Sequence, residues 1–156
     1  MPKRSAGLVV YRHSGGGLEI LLVHPGGPYW AGKDLGAWSI PKGEPAPNED
    51  CLTAAQREFT EETGCTVTGE FTALAPIKQA GGKVVEAWAV EGQCDPSRLR
   101  SNAVMLEWPP HSGELKGFPE VDRAAWFPLP EARRRILPSQ RAFLAQLDGM
   151  LSRPRE

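Results

Sequence analysis

Two apolar runs of strand length stand near the start of the chain, Ala6 to Tyr11 and Leu18 to Val23, separated by the polar, glycine-rich stretch His13 to Gly17. That pattern predicts a β-hairpin. From Pro25 to Lys42 the periodicity disappears among Gly and Pro residues, with Tyr29, Trp30 and Trp38 interspersed. This predicts a long loop leading into a short strand over Ala37 to Ile40, and a loop of that length in a small domain usually serves function. Asp50 can cap the helix that follows, whose Leu52, Ala55 and Phe59 form one apolar stripe. Phe71 to Gln79, the Gly81-Gly82 turn and Lys83 to Glu91 predict a second hairpin. Beyond it come a connection over Asp95 to Arg100, a short strand over Met105 to Trp108, a polar loop from His111 to Gly117, and a strand over Ala124 to Phe127. Pro128 and Pro130 end that strand and permit a helical turn through Arg135. Pro138 then starts a C-terminal helix carrying Phe143, Leu144, Leu147 and Leu151 on one face. No internal repeat or low-complexity tract interrupts this order, which suits an α+β layered domain.

A chain of 156 residues is long enough for one domain with a real core and too short to expect two, so residues 1–156 are read as a single domain. A formal net charge of −1 argues against general attraction to nucleic acid or to an anionic membrane. Any polyanionic substrate must therefore meet a local patch or a metal. No apolar run approaches the length of a membrane span, and no apolar signal core follows the first five residues, so the cytoplasm is the expected compartment. Cys51, Cys65 and Cys94 are odd in number and lack C-x-x-C spacing. They suggest neither a disulfide framework nor a zinc site, and are expected to be buried or half-buried thiols.

The strongest chemical signal is Glu58, Glu61 and Glu62, spaced i, i+3 and i+4. On a helix these carboxylates share one face. Gly64 stands where a C-cap glycine belongs, which places them in the last turn, at the negative end of the helix dipole. Like charges at this spacing repel by about 0.2 to 0.5 kcal/mol per pair, and the dipole adds roughly 0.3 to 1 kcal/mol for each. A divalent cation reverses that cost, and hard oxygen ligands suit Mg²⁺ or Mn²⁺. Around them the chain reads Gly43, Glu49, Arg57-Glu58, Phe59, Glu61-Glu62, Gly64 and Cys65. This resembles the Nudix hydrolase signature G-x5-E-x7-R-E-U-x-E-E-x-G-U over residues 43–65, with Phe59 and Cys65 at its aliphatic positions. Trp38-Ser39-Ile40-Pro41-Lys42-Gly43 is similar to the family's lead-in, and its Pro-Lys-Gly form resembles members acting on dinucleoside polyphosphates and other highly phosphorylated substrates.

The resemblance implies the Nudix fold, an α/β/α sandwich with a mixed sheet and a loop-helix-loop signature. It implies a pyrophosphohydrolase that uses Mg²⁺ or Mn²⁺ and a small nucleotide substrate, as monomer or homodimer. Glu58, Glu61, Glu62 and the Lys42 carbonyl match metal-ligand positions, and Glu58 also matches a position that serves as base. Arg57 and Glu49 match a structural ion pair that supports catalysis, while Glu120 resembles an acidic residue brought in from a late loop as ligand or base. Among the residues themselves, Lys3, Arg4, Lys42, Lys78 and Lys83 are candidate phosphate contacts. Tyr29, Trp30 and Trp88 are candidate base-stacking residues, with Trp38, Trp108 and Trp126 assigned to packing. His24 reads as a loop histidine at a strand end, and Arg133-Arg134-Arg135 as a solvated helix face. The favoured substrate is a dinucleoside polyphosphate or nucleoside triphosphate. The alternatives are ADP-ribose or a nucleotide sugar, and a regulatory module that binds nucleotide without turnover.

Overall fold

Strand β1 (Arg4–Ser14) is buried on both faces along Ala6 to Val10, which is why its sequence is continuously apolar and not alternating. In the computed structural model, which describes residues 3–79 and 81–152, this strand is central. It pairs antiparallel with β2 (Gly17–Pro25) and parallel with β6 (Val84–Glu91). β9 (Val121–Pro128) extends the sheet beyond β2. The short strands β4 (Thr72–Ala73) and β5 (Ile77–Lys78) both pair with β6, and β3 (Lys42–Gly43) pairs with β1. The result is a mixed sheet in the order β4-β6-β1-β2-β9.

Alternation along the strands sends successive side chains to opposite layers. Ala6, Leu8, Val10 and Leu21 pack against Ala54, Ala55 and Phe59 of helix α1 (Cys51–Thr63). Val9, Ile20 and Leu22 face the other way, toward Ala132 of α2 (Leu129–Arg135) and Phe143, Leu144 and Leu147 of α3 (Arg141–Leu151). One helix covers one face and two cover the other, as the α/β/α expectation required. Among the described residues no helix is long and apolar enough to cross a membrane.

Several local expectations are corrected. Ala37 to Ile40 is not a strand: it makes single bridges from Ser39 to Val23 and from Trp38 to Ile136. Buried Gln140 completes its hydrogen bonding, accepting from the Ile40 N–H at 3.0 Å and donating to Ser39 Oγ at 3.0 Å. The first arm of the second hairpin splits into β4 and β5, separated by a segment containing Pro76, which has no N–H for the ladder. The polar loop ends early, because Leu115–Pro119 forms β8, which pairs with β7 (Ala103–Glu107) as a separate ribbon.

The cysteine expectation is also overturned. Cys65 and Cys94 are joined by a disulfide, leaving Cys51 as the free thiol among the described residues. An odd count hid a pair that only the folded chain brings together, just past the α1 C-cap and just after β6. Burial and a hydrogen bond to Glu86 push the Cys51 thiol up to about 11, with the hydrogen bond the larger cause, so it is a poor nucleophile at neutral pH. The bond closes a loop of sequence separation 29, for which the chain-entropy model gives about 3 to 4 kcal/mol. Dithiothreitol should therefore lower the melting temperature by about 10 °C. Calorimetry with and without reductant checks this, and Cys65→Ser should melt at the reduced value under both conditions.

Candidate active site

Helix α1 delivers the acidic residues. Asp50 caps its start, accepting from the Thr53 N–H at 3.1 Å, and Gly64 ends it in the left-handed conformation at φ 75° with its N–H on the Thr60 carbonyl. Glu58, Glu61 and Glu62 thus lie in the last two turns, where the dipole disfavours anions. Arg57 offsets part of that charge. Its guanidinium grips Glu49 in a fork, Nε to Oε2 at 2.9 Å and Nη2 to Oε1 at 2.8 Å, and Nη1 reaches Glu58 at 3.0 Å and Glu61 at 3.1 Å. The Arg57 hydrogen bonds, with a smaller contribution from the Ala46 N–H, hold the Glu49 carboxyl down to about 2. Glu49 in turn clamps its own loop through the Ala46 N–H at 2.9 Å.

Glu62 has no such partner. It is buried, at 6% exposure, and among the described residues no basic side chain forms a salt bridge with it. Its Oε2 accepts the Lys42 backbone N–H at 2.9 Å, which fixes the end of α1 to β3. Burial, aided by the negative charges of Glu120 and Glu58, pushes its carboxyl up to about 9. Burial likewise raises Glu58, although Arg57 opposes the shift. A Cβ at Gly43 would collide with the Glu58 carboxylate, so any larger residue there would displace that acid. Burial first, and then the charge of Lys83, lowers the Lys42 ammonium below the usual lysine range.

Trp30, Lys42, Glu62 and Glu120 line a cleft of about 260 Å³ whose walls include Val23 and Ile40. A larger surface cavity of about 730 Å³ lies around the Cys65–Cys94 bond, lined by Arg12, Arg98 and Trp126 among others. It holds none of these carboxylates, so chemistry and not size identifies the site. Among the described residues no three His, Cys, Asp or Glu side chains form a ready-made metal cage. The physical reason is that Arg57 draws Glu58 and Glu61 to itself. The donor set nonetheless fits a hard divalent cation, which takes a few carboxylates and completes its shell with water and phosphate. A buried, uncompensated carboxylate beside two others is the feature that such an ion would neutralise.

The other candidate residues scatter. Trp30 lines the cleft, but Tyr29 turns its ring edge to Trp108, with centroids 5.3 Å apart. Arg4 is 3.7 Å from Glu86, and Lys83 is 3.8 Å from Glu44 across the signature loop. Lys78 is exposed on β5, Lys3 is exposed just before β1, and Trp88 packs half-buried against the α1 layer. His24 is not a loop histidine. It is fully buried within β2 and bonded at both ring nitrogens, to Asp122 Oδ1 at 2.8 Å and the Lys33 carbonyl at 2.6 Å. Sequence reasoning gave no role to Asp122. Its only signal was an acidic residue two positions beyond Glu120.

A family model described as NUDIX domain matches residues 1–147. An African swine fever virus mRNA-decapping protein, g5R, is 51% identical over 39 residues, a stretch that covers 25% of this chain and 15% of that protein. Among solved structures, a Caenorhabditis elegans Ap4A hydrolase binary complex superposes with a TM-score of 0.66 at 24% identity, covering 95% of this chain and 98% of that one. The NUDIX domain of Shewanella oneidensis NrtR, complexed with ADP ribose, gives 0.68 at 15% identity over 97% of this chain and 90% of that one. At these identities the structural likeness establishes the fold.

Burial of Glu62 has a consequence for stability. Its carboxyl lies far above the unfolded value of about 4.5, so the metal-free native state holds a proton that the unfolded chain releases. Stability contributed by this group is therefore full below the unfolded pKa and lost as pH rises toward about 9, with a limiting slope of about 1.4 kcal/mol per pH unit. The depressed Glu49 titrates below this window and acts in the opposite direction. Urea titrations of metal-free protein between pH 5 and pH 9 should show the decline. Glu62→Gln should flatten it and be at least as stable as the parent at the alkaline end.

Proposed function

This chain belongs to the NUDIX domain family, and from that premise we propose that it hydrolyses a phosphoanhydride bond in a nucleoside polyphosphate, with Mg²⁺ or Mn²⁺ as cofactor. The observation that carries this reading is Glu62, buried without a cationic partner beside Glu58 and Glu120 and tied to the Lys42 backbone. Glu58, Glu61, Glu62 and the Lys42 carbonyl would hold the cation. When bound, it neutralises charge on the phosphate oxygens and acidifies the attacking water.

The remaining work falls to the chain's own groups. Glu58 or Glu120 takes the proton of the attacking water, and the raised Glu58 carboxyl moves in the direction a general base needs. Arg57 and Glu49 keep that carboxylate in place without touching substrate. Trp30 offers a half-buried aromatic ring to a base, and the Lys42 ammonium, already short of solvent, gains a counter-charge in a phosphate. Otherwise catalysis rests on positioning and electrostatics. A dinucleoside polyphosphate or a nucleoside triphosphate is the favoured substrate, because the Lys42 ammonium in the cleft would offer a contact to a further phosphate of a longer chain. ADP-ribose, the ligand in the NrtR structure, is the second reading.

A screen of dinucleoside polyphosphates, nucleoside triphosphates and ADP-ribose with Mg²⁺ or Mn²⁺ tests this. Turnover should require added metal, vanish with EDTA, and fall by roughly a hundred- to a thousandfold in Glu62→Gln. Full activity after chelation would refute it. Lys42→Ala should lower kcat/KM by roughly ten- to a hundredfold for a tetraphosphate-bridged dinucleoside, the worth of one charge-assisted contact, and much less for ADP-ribose. Equal losses on both would move the assignment to nucleotide sugars.

A further inference from the structure

A histidine buried in a strand without exposure is costly unless both ring nitrogens are satisfied. A leucine would fill the same space without that demand. In this chain both nitrogens of His24 are used, and their partners come from two separate segments, β9 and the loop that carries Trp30. Nδ1 reaches Asp122, two residues beyond Glu120. Nε2 reaches the Lys33 carbonyl, in the loop that also carries Trp30. The ring is held edge-on by Trp38, with centroids 5.2 Å apart.

Asp122 occupies a special place in the sheet. Between β2 and β9 the register shifts at His24/Pro25: His24 pairs with Arg123 and Pro25 with Val121, so Asp122 is skipped. A bulge of this kind re-aims neighbouring side chains. The Glu120 backbone is itself fastened, donating to the Asn102 carbonyl at 2.8 Å and accepting from the Gly26 N–H at 2.9 Å. The slack between this fixed point and the regular ladder is taken up at Asp122, and His24 is what holds it. Besides His24, the charged group facing the Asp122 carboxylate is Arg123, 3.7 Å away.

We propose that His24 is a positioning residue of the active site: by gripping Asp122 and the Lys33 carbonyl, it sets Glu120 and the Trp30 loop against Glu62. The inference rests on the reading that Glu120 belongs to the metal-binding cleft. His24 touches neither substrate nor metal and acts through the skipped residue.

The test measures Mn²⁺ affinity by electron paramagnetic resonance of the free ion, which needs no turnover. Parent, His24→Leu, Asp122→Ala and Glu120→Gln are compared, with the first two substitutions repeated in the Glu120→Gln background. Removing an outer support of a metal ligand typically costs ten- to a hundredfold in affinity, so His24→Leu and Asp122→Ala should each weaken Mn²⁺ binding by roughly tenfold. In the Glu120→Gln background each should change it by less than about twofold, because the group they position is already gone. kcat should follow affinity in both backgrounds. A core-filling role predicts otherwise: a lower melting temperature in both backgrounds, with Mn²⁺ affinity of the folded protein unchanged. That result, equal losses in both backgrounds, or a Glu120→Gln variant with parental affinity would each overturn the inference. If His24→Leu fails to fold, Asp122→Ala, at an exposed position, carries the test. The affinity pattern without hydrolysis of any nucleotide would leave the inference standing and remove the proposed reaction. A parent that binds no Mn²⁺ would remove both.

Discussion

One guanidinium is shared by three carboxylates, and none reaches the fourth. Arg57 holds Glu49 in a fork and Glu58 and Glu61 through Nη1, its single charge offsetting part of theirs, while Glu62, one residue further along the same helix, is buried with only a backbone N–H for company. A carboxylate in that setting either keeps a proton or acquires a cation. The charge deficit cannot be relaxed by moving the helix. α1 is fixed at its start by Asp50, at its end by Gly64, and along its length by Ala54, Ala55 and Phe59 against the sheet. The arrangement stores electrostatic cost in the metal-free protein, a cost that a bound cation would offset.

The sheet is what makes that cost sustainable. β1 is paired with β6 from Arg4 to Tyr11 and with β2 from Tyr11 to Ser14, and β3 joins its first half at Ala6 and Gly7. Lys42 is therefore presented by rigid backbone, so that its N–H meets Glu62 and its side chain enters the cleft. The adjoining residue, Gly43, leaves room for the Glu58 carboxylate to press on the backbone. Sequence neighbours on the short strand thus set two different acids on the helix.

The opposite wall is assembled from parts far apart in the chain. The loop carrying Trp30 is laced down by His24 on the Lys33 carbonyl, by Asp34 on Trp38 and Arg135, and by the Gly36 N–H on the Arg134 carbonyl at 3.0 Å. A loop tethered at so many points does not need regular secondary structure to hold a shape. It also explains why Arg135 is not part of a freely solvated face: its guanidinium serves Asp34 and Glu131. Arg133 and Arg134 remain near the surface, paired with Asp148 and Glu131.

Short-range spacing along the chain settles one set of features. The hairpin, the capped helix, the C-terminal apolar stripe and the gathering of Glu58, Glu61 and Glu62 on one helical surface all follow from periods of two and 3.6 residues. The α+β order and the signature from Gly43 to Cys65 were legible for the same reason. Tertiary structure decided what depends on partners distant in the chain. Spacing could not show that Arg57 takes Glu61 as well as Glu49, leaving Glu62 as the uncompensated acid. Nor could it join Cys65 to Cys94, set Gln140 against Ile40, or bury His24 between Asp122 and Lys33. Local periodicity fixes which face a side chain occupies, whereas burial and hydrogen-bond partners belong to whatever the fold brings opposite that face.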